Sequence, residues 1–301
     1  ARRDFTINAI YLDPDGTVHD PVGGLADLEA RRVRFVGAAA TRIAEDVLRV
    51  LRYYRFEARF GTGHGDSAAR AACRAAAGSL WRLSAERVAG ELIRLLRVPQ
   101  PIPALRMMSE DGVLAAVLPE ATRLDRLEQL VRIEPAPPDP LRRLAALAAV
   151  DADGMAAMAE RLRLSNTQRD RLVGLARPWP IDPNAGEKTQ HVARYRLGEQ
   201  RYLDLLWLFA AEDWSRDAEK QTLRRERLAD LLTLATTWQP PRFPLAGRDL
   251  VALGIPPGPR MGKLLAEAQR WWEAGDFAAD RAACLEQLKK LTGPGPEQPS
   301  G

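Results

Sequence analysis

Two short segments concentrate side chains whose types and spacing suit chemistry. The first is Ala1-Arg2-Arg3-Asp4-Phe5-Thr6-Ile7-Asn8-Ala9-Ile10. A guanidinium is planar, always charged and donates in pairs, which matches phosphate oxygens, so Arg2 and Arg3 are candidate phosphate ligands. Asp4 beside them can accept hydrogen bonds from ribose hydroxyls, and Asn8 can both donate and accept. The plainer alternative is a charged chain end that enters a strand.

The second segment is Glu45-Asp46-Val47-Leu48-Arg49-Val50-Leu51-Arg52. If it is helical, Asp46 and Arg49 lie one turn apart on the face opposite an apolar stripe. Such a pair is ordinarily a solvated ion pair that contributes about 0.2–0.5 kcal/mol. A sharper reading is base recognition. Cytosine offers its N4 amine and N3 acceptor, and adenine its N6 amine and N1 acceptor. A carboxylate and a guanidinium complement both edges. Uracil and guanine present a carbonyl and a ring N–H instead, so the same pair leaves polar groups unmatched. Rejection of the wrong base is then strong. Arg52 and Arg55 extend the basic side of the segment toward phosphates.

These residues need elements to hold them. Phe5 to Leu12 reads as a strand, Asp13-Pro14-Asp15-Gly16 as a turn, and Thr17 to Asp20 as a returning strand. A turn at Pro21–Gly24, a short helical piece at Leu25–Leu28 and a third strand at Val33–Val36 follow. After Gly37 the pattern turns helical. Thr41 to Phe60 reads as one long helix with Ile43, Val47, Val50, Leu51, Tyr54 and Ala58 on its apolar face. Residues 61–66 break it, Ser67–Ala77 forms the next helix, and Ser84 is placed to cap a helix over Ala85–Leu96. Helical segments continue to about Leu291, with a break near Asp213 and proline-rich linkers at 135–140 and 240–244. The stretch 293–301 has the composition of a disordered tail. The expected class is α+β, a small β portion followed by a mostly α-helical body. Two or three short strands do not bury a core alone, so further strands are expected upstream.

Composition sets bounds. At 301 residues, two or three compact units are expected, and 46% hydrophobic with 28% charged residues is globular. The net charge of +4 permits a polyanionic partner without proving one. Cys73 and Cys284 read as structural thiols of a reducing compartment, and His19, His64 and His191 are too scattered to form a metal site. No apolar run approaches the ~18 residues of a membrane span, and no signal peptide is visible, so a cytoplasmic protein is expected.

Taken together, the motifs resemble the superfamily of class II CCA-adding tRNA nucleotidyltransferases and bacterial poly(A) polymerases. Arg2–Ala9 is similar to the family segment that contacts ribose and triphosphate. Asp20-Pro21-Val22-Gly23-Gly24-Leu25-Ala26-Asp27-Leu28 resembles its flexible segment beside the palm. Glu45–Phe56 resembles the helix that serves as a protein template for the incoming base, and Ser84–Leu92 the supporting neck helix. Pro244–Leu250 and Gly254–Pro259 are similar to a tail-region motif near the RNA.

The resemblance implies that Asp46 and Arg49 read the base and that Glu45 orients Arg49. It implies that Arg2, Arg3 and Asp4 hold sugar and phosphates, that Asn8 supports the pocket, and that Glu86 and Arg87 brace the neck. The implied division is the C-terminal part of a nucleotidyltransferase head (1–38), neck and template helices (39–134), a helical body (135–239) and a helical tail (240–292). The family's phosphate loop and Asp-x-Asp metal ligands would lie upstream of Ala1. The expectation is therefore that the Mg²⁺ ligands are not in this chain, that no catalytic residue is, and that the chain is inactive alone. The implied reaction is addition of C, C and A to tRNA 3′ ends from CTP and ATP. Poly(A) polymerase is the nearest alternative, followed by a noncatalytic RNA-binding helical protein and a helical protein–protein adaptor.

Overall fold

Glycines and turn residues shape the first forty positions more than strands do. The computed structural model describes residues 3–176, 182–212 and 218–292, and the expected break at Asp213 and tail at 293–301 lie outside these. Strands β1 (Tyr11–Leu12) and β2 (Val18–His19) pair antiparallel, with Tyr11 opposite His19 and Leu12 opposite Val18. The remaining strand expectations fail. Thr6–Asn8 is a 3₁₀ turn, and Val33–Val36 supplies only one bridge, Phe5 to Phe35. The reason is that Phe5, Val33 and Phe35 are claimed by the helical core, where they are at most 2% exposed, rather than by a ladder.

The helices are α1 (Gly24–Glu29), α2 (Ala39–Glu45), α3 (Leu48–Phe60), α4 (Ser67–Ala76), α5 (Ala85–Leu96), α6 (Ile102–Glu110), α7 (Val113–Val117), α8 (Leu124–Ile133), α9 (Pro140–Leu147), α10 (Ala152–Arg161) and α11 (Asn166–Ala176). They continue with α12 (Glu187–Leu197), α13 (Glu199–Glu212), α14 (Ala218–Thr237), α15 (Gly247–Ala252), α16 (Pro259–Ala274) and α17 (Arg281–Thr292). The chain is thus mostly helical with a two-stranded sheet, the α+β organisation expected. The two glycines at the start of α1, its N-cap Gly23 and its first residue Gly24, are required by geometry. Gly23 adopts φ 75°, and a Cβ on Gly24 would meet the Thr6 carbonyl oxygen at 2.3 Å.

The chain forms two compact units. Ala1–Trp179 with Asp204–Thr222 makes one, and Pro180–Leu203 with Leu223–Gly301 the other. In the first, α3 packs on α5 and α6, α2 on α4, and α9 on α5, α8 and α11. Helices α8 and α9 therefore pack together across the proline-rich stretch between them. Buried Arg143 of α9 pairs with Glu134 and donates to the carbonyls of Leu96 (2.8 Å), Val98 (2.5 Å) and Pro99 (3.2 Å). It thereby satisfies acceptors left open at the end of α5. In the second unit, Leu245, Leu250, Leu264, Ala268, Trp272, Cys284 and Leu288 form a separate core. Cys73 and Cys284 are both buried free thiols.

Candidate functional site

The long helix expected over Thr41–Phe60 is interrupted at its most important residue. Helix α2 ends at Glu45, Asp46 is extended (φ −156°, ψ 106°), and α3 begins at Leu48. The cause lies in the aspartate itself. Its Oδ1 accepts from the Leu48 backbone N at 3.1 Å, and its carbonyl from Arg49 N at 3.0 Å. This short-range bond competes with the helical ladder and restarts it. The expectation that Asp46 and Arg49 share one helical face is therefore corrected, since Asp46 sits in the break and Arg49 on the first turn of α3. The i,i+3 ion pair between them is replaced by two others. Arg49 Nη1 pairs with Glu45 and donates to the Arg42 carbonyl at 2.6 Å, while Asp46 Oδ2 accepts from Arg87 Nη2 of α5 at 2.7 Å.

The N-terminal segment reaches this break through one aromatic anchor. Phe5, fully buried, packs between Phe35 (centroids 4.9 Å) and Phe56 (4.8 Å) and lies 6.3 Å from Tyr53. Asp4 is thereby drawn inward to 5% exposure. There its Oδ2 accepts from Arg52 Nε at 2.5 Å, and its Oδ1 from Asn8 Nδ2 at 2.9 Å and Phe5 N at 3.1 Å. Burial pushes the Asp4 carboxyl up, but the Arg52 and Asn8 hydrogen bonds outweigh it and hold the group below the ordinary carboxylate value. Thr6, the next residue, donates to Asp27 at 2.6 Å; Arg32 (2.5 Å) and Arg34 (2.9 Å) fix that fully buried carboxylate in turn.

These elements converge on a cavity of about 260 Å³ lined by Arg3, Asp4, Asn8, Asp46, Leu48, Arg49, Arg52 and Arg87. Four guanidiniums face two carboxylates, so the cavity favours an anion. Exposed Arg3 lies over the Tyr11 ring at 5.7 Å and has no ion-pair partner among the described residues. Arg49 Nε and Nη2 carry no bond there either, because Nη1 alone takes Glu45 and Arg42. Each Asp46 oxygen accepts one hydrogen bond and keeps a lone pair. Glu45 is held below its ordinary pKa chiefly by the Arg49 hydrogen bond and then by Arg42, so it stays charged and keeps its grip on both.

Not every expected residue arrives. Arg2 lies outside the described residues. Arg55 does not line the cavity; it turns to Glu91 of α5, 2.6 Å away, because its position on α3 faces that helix. Glu86 is exposed in the first turn of α5 and lines no part of the cavity, whereas its neighbour Arg87 does. Ser84 begins α5 without a side-chain capping bond. Arg42 was not singled out from the sequence. It ties α2 to the N-terminal segment through the Arg3 carbonyl and pairs with Glu45 at 2.8 Å. Its i,i+3 spacing to Glu45 was the available signal. A larger cavity of about 560 Å³ in the second unit, with His191 stacked on Trp238, contains none of the motif residues.

Magnesium has no fitting donor set here. Among the described residues no three His, Cys, Asp or Glu side chains converge into a metal site. The Asp4 carboxylate is already engaged by Arg52 and Asn8. Among the described residues no helix is long and apolar enough to cross a membrane.

Comparison with known proteins gives two family matches, "Poly A polymerase head domain" over residues 1–34 and "Probable RNA and SrmB- binding site of polymerase A" over 66–124. The mitochondrial CCA tRNA nucleotidyltransferase 1 of Danio rerio is 30% identical over 293 residues, which cover 96% of this chain and 66% of that protein. The chain thus spans just under two thirds of that relative's length. The multifunctional CCA protein of Azoarcus sp. (strain BH72) is 43% identical over 137 residues, 45% of this chain and 32% of that protein. Among solved structures, the Bacillus stearothermophilus CCA-adding enzyme in complex with CTP superposes with a TM-score of 0.72 at 27% identity, covering 97% of this chain and 73% of that one.

Proposed function

The chain belongs to the class II CCA-adding and poly(A) polymerase superfamily, and on that premise we propose that its cavity selects the base of CTP or ATP for addition of C, C and A to the 3′ end of tRNA. In this reading Asp46 accepts from the exocyclic amine of cytosine or adenine. Arg49 donates through Nε or Nη2 to the ring nitrogen. Uracil and guanine set a carbonyl against the carboxylate and an N–H against the guanidinium, and are refused. Arg3, exposed and without an ion-pair partner among the described residues, holds phosphate, with Arg2 beside it in sequence. Asp4, held by Arg52 and by Asn8, offers the sugar a fixed acceptor edge, and Asn8 supports it. Glu45 orients Arg49. A divalent metal would be held by carboxylates other than those of this cavity. The 3′-hydroxyl of the RNA attacks the α-phosphate of the bound nucleotide and pyrophosphate leaves.

The observation that carries the reading is that Asp46 and Arg49 each keep unspent hydrogen-bonding capacity facing one cavity. The Bacillus stearothermophilus structure, named as a CTP complex, supports the choice of nucleotide. The reading places the protein in the cytoplasm; the Danio rerio relative is named as mitochondrial.

The test is Asp46→Ala and Arg49→Ala in the full-length protein. Each substitution should lower kcat/KM for CTP and ATP about 10–100-fold and erode the preference over UTP and GTP. Retention of normal selection by both variants would refute the assignment. The family descriptions name poly(A) polymerase, so a second reading is a poly(A) tail. Sequencing products made from mixed nucleotides separates the two, because CC before A is expected and a run of A alone would overturn CCA addition.

A further inference from the structure

We infer that Trp81 is a stacking platform for an unpaired base of the RNA acceptor, with Arg82 beside it for the adjoining phosphate. It rests on the proposed addition to an RNA 3′ end and adds a place where that RNA is held. At 78% exposure Trp81 is the most exposed large hydrophobic residue among those described. It sits in the 3₁₀ helix Ala77–Arg82, which packs on α4 and α7. Successive side chains of such a helix point about 120° apart, so burial of Leu80 turns the next residue outward. A polar side chain would serve there as well for folding. A large apolar group left in water is the informative exception on a protein surface.

The surroundings select the partner. The Arg82 guanidinium lies 5.6 Å from the centre of the Trp81 ring and has no ion-pair partner among the described residues. Over residues 67–97 six arginines meet two glutamates, a net +4 that equals the charge of the whole chain, and one of the two, Glu91, is buried. A flat π-face beside an unneutralised guanidinium suits single-stranded nucleic acid, because every base has a face to stack and every linkage a phosphate. An acidic protein surface would use the charge and leave the indole without a flat partner. Both residues lie inside the stretch matched to a probable RNA-binding site, 66–124. Arg87, six residues further on in α5, lines the cavity. Three residues of extended chain and one helical turn separate it from Trp81, at most about 16 Å between Cα atoms. A base on Trp81 therefore belongs to the unpaired nucleotides next to the reacting 3′-hydroxyl, not to a remote part of the RNA.

The experiment compares parent, Trp81→Leu, Trp81→Phe, Arg82→Ala and Asp46→Ala forms of the full-length protein by RNA binding, nucleotide-addition kinetics and thermal melting. Two 5′-fluorescein RNAs are used, a tRNA transcript lacking CCA, whose 3′ nucleotide is unpaired, and a blunt-ended RNA hairpin. Trp81→Leu should weaken binding of the tRNA and raise its KM about tenfold, with KM for CTP and the melting temperature little changed. It should bind the blunt hairpin as the parent does. Trp81→Phe keeps a flat ring and should retain most of the affinity. Arg82→Ala should lower the slope of log affinity against log salt by about 0.7, one single-strand phosphate contact. If Trp81→Leu melts early, Trp81→Gln replaces it. Parent-like tRNA binding by Trp81→Leu or Trp81→Gln, or an equal loss on both RNAs, overturns the inference and leaves the base-reading proposal intact. Normal base selection in Asp46→Ala beside a tenfold tRNA loss in Trp81→Leu overturns the base reading and leaves the platform standing.

Discussion

Phe5 and Asp4 divide two tasks between adjacent positions: one buries a ring among Phe35, Tyr53 and Phe56, and the other presents a carboxylate to Arg52. Asp4 was legible as a site residue from its type beside two arginines, but the anchor was not, because Phe5 reads as the start of a strand. Other single-residue facts were hidden as well. Arg55 was expected near phosphate, yet it faces Glu91, 36 residues further along, and periodicity says nothing about a partner so distant. Glu57 is the clearest case. It looks like an ordinary charged helix position, but it is 3% exposed and its Oε2 has no partner among the described residues. Burial first, and then the Asp66 carboxylate, push it up to about 7 from 4.5, against Arg31 and Arg70. An acid with a raised folded pKa binds more protons folded than unfolded, so its contribution to stability falls as pH climbs from about 4.5 to about 7 and then levels off. Glu57→Gln should therefore be more stable than the parent at pH 8, by up to about 3 kcal/mol, and differ little from it at pH 4. Urea unfolding at both pH values checks this; a gain independent of pH would contradict the assigned cause.

Among the elements, helix existence and extent were largely readable. The helices expected at Ser67–Ala77 and Ala85–Leu96 correspond to α4 (Ser67–Ala76) and α5. The break between α2 and α3 was not, because the apolar stripe runs through it without a change of phase, and the interruption comes from one local hydrogen bond of Asp46. The strands near the start were over-read for the opposite reason: Phe5, Val33 and Phe35 have strand-forming side chains, but all three are buried, and Phe5 and Phe35 pack on the rings of α3. The break yields its own prediction. Asp46→Asn keeps an oxygen for Leu48 N but removes the charge, whereas Asp46→Ala removes both. The alanine variant should lose about 1 kcal/mol of stability and the asparagine variant much less, while both lose base selection. Denaturant melts paired with nucleotide kinetics read the two effects separately. Equal stability loss in both variants would show that the carboxylate charge, not the cap, holds the break.

Across the whole chain, all eight residues that line the cavity fall in the unit formed by Ala1–Trp179 and Asp204–Thr222, which has its own core, as does the second unit. The net charge of +4 gave only weak notice of such a site, because charge averaged over 301 residues hides where four guanidiniums meet. What the sequence did reveal was order: three of its motifs, in succession, supply the residues that line the cavity. The direct test of the central claim is a crystal structure of the full-length protein with CTP. The cytosine N4 should lie about 3 Å from an Asp46 carboxylate oxygen and N3 about 3 Å from Arg49 Nε or Nη2. A base bound elsewhere, or bound in the cavity with Asp46 and Arg49 turned away from its edge, would contradict it.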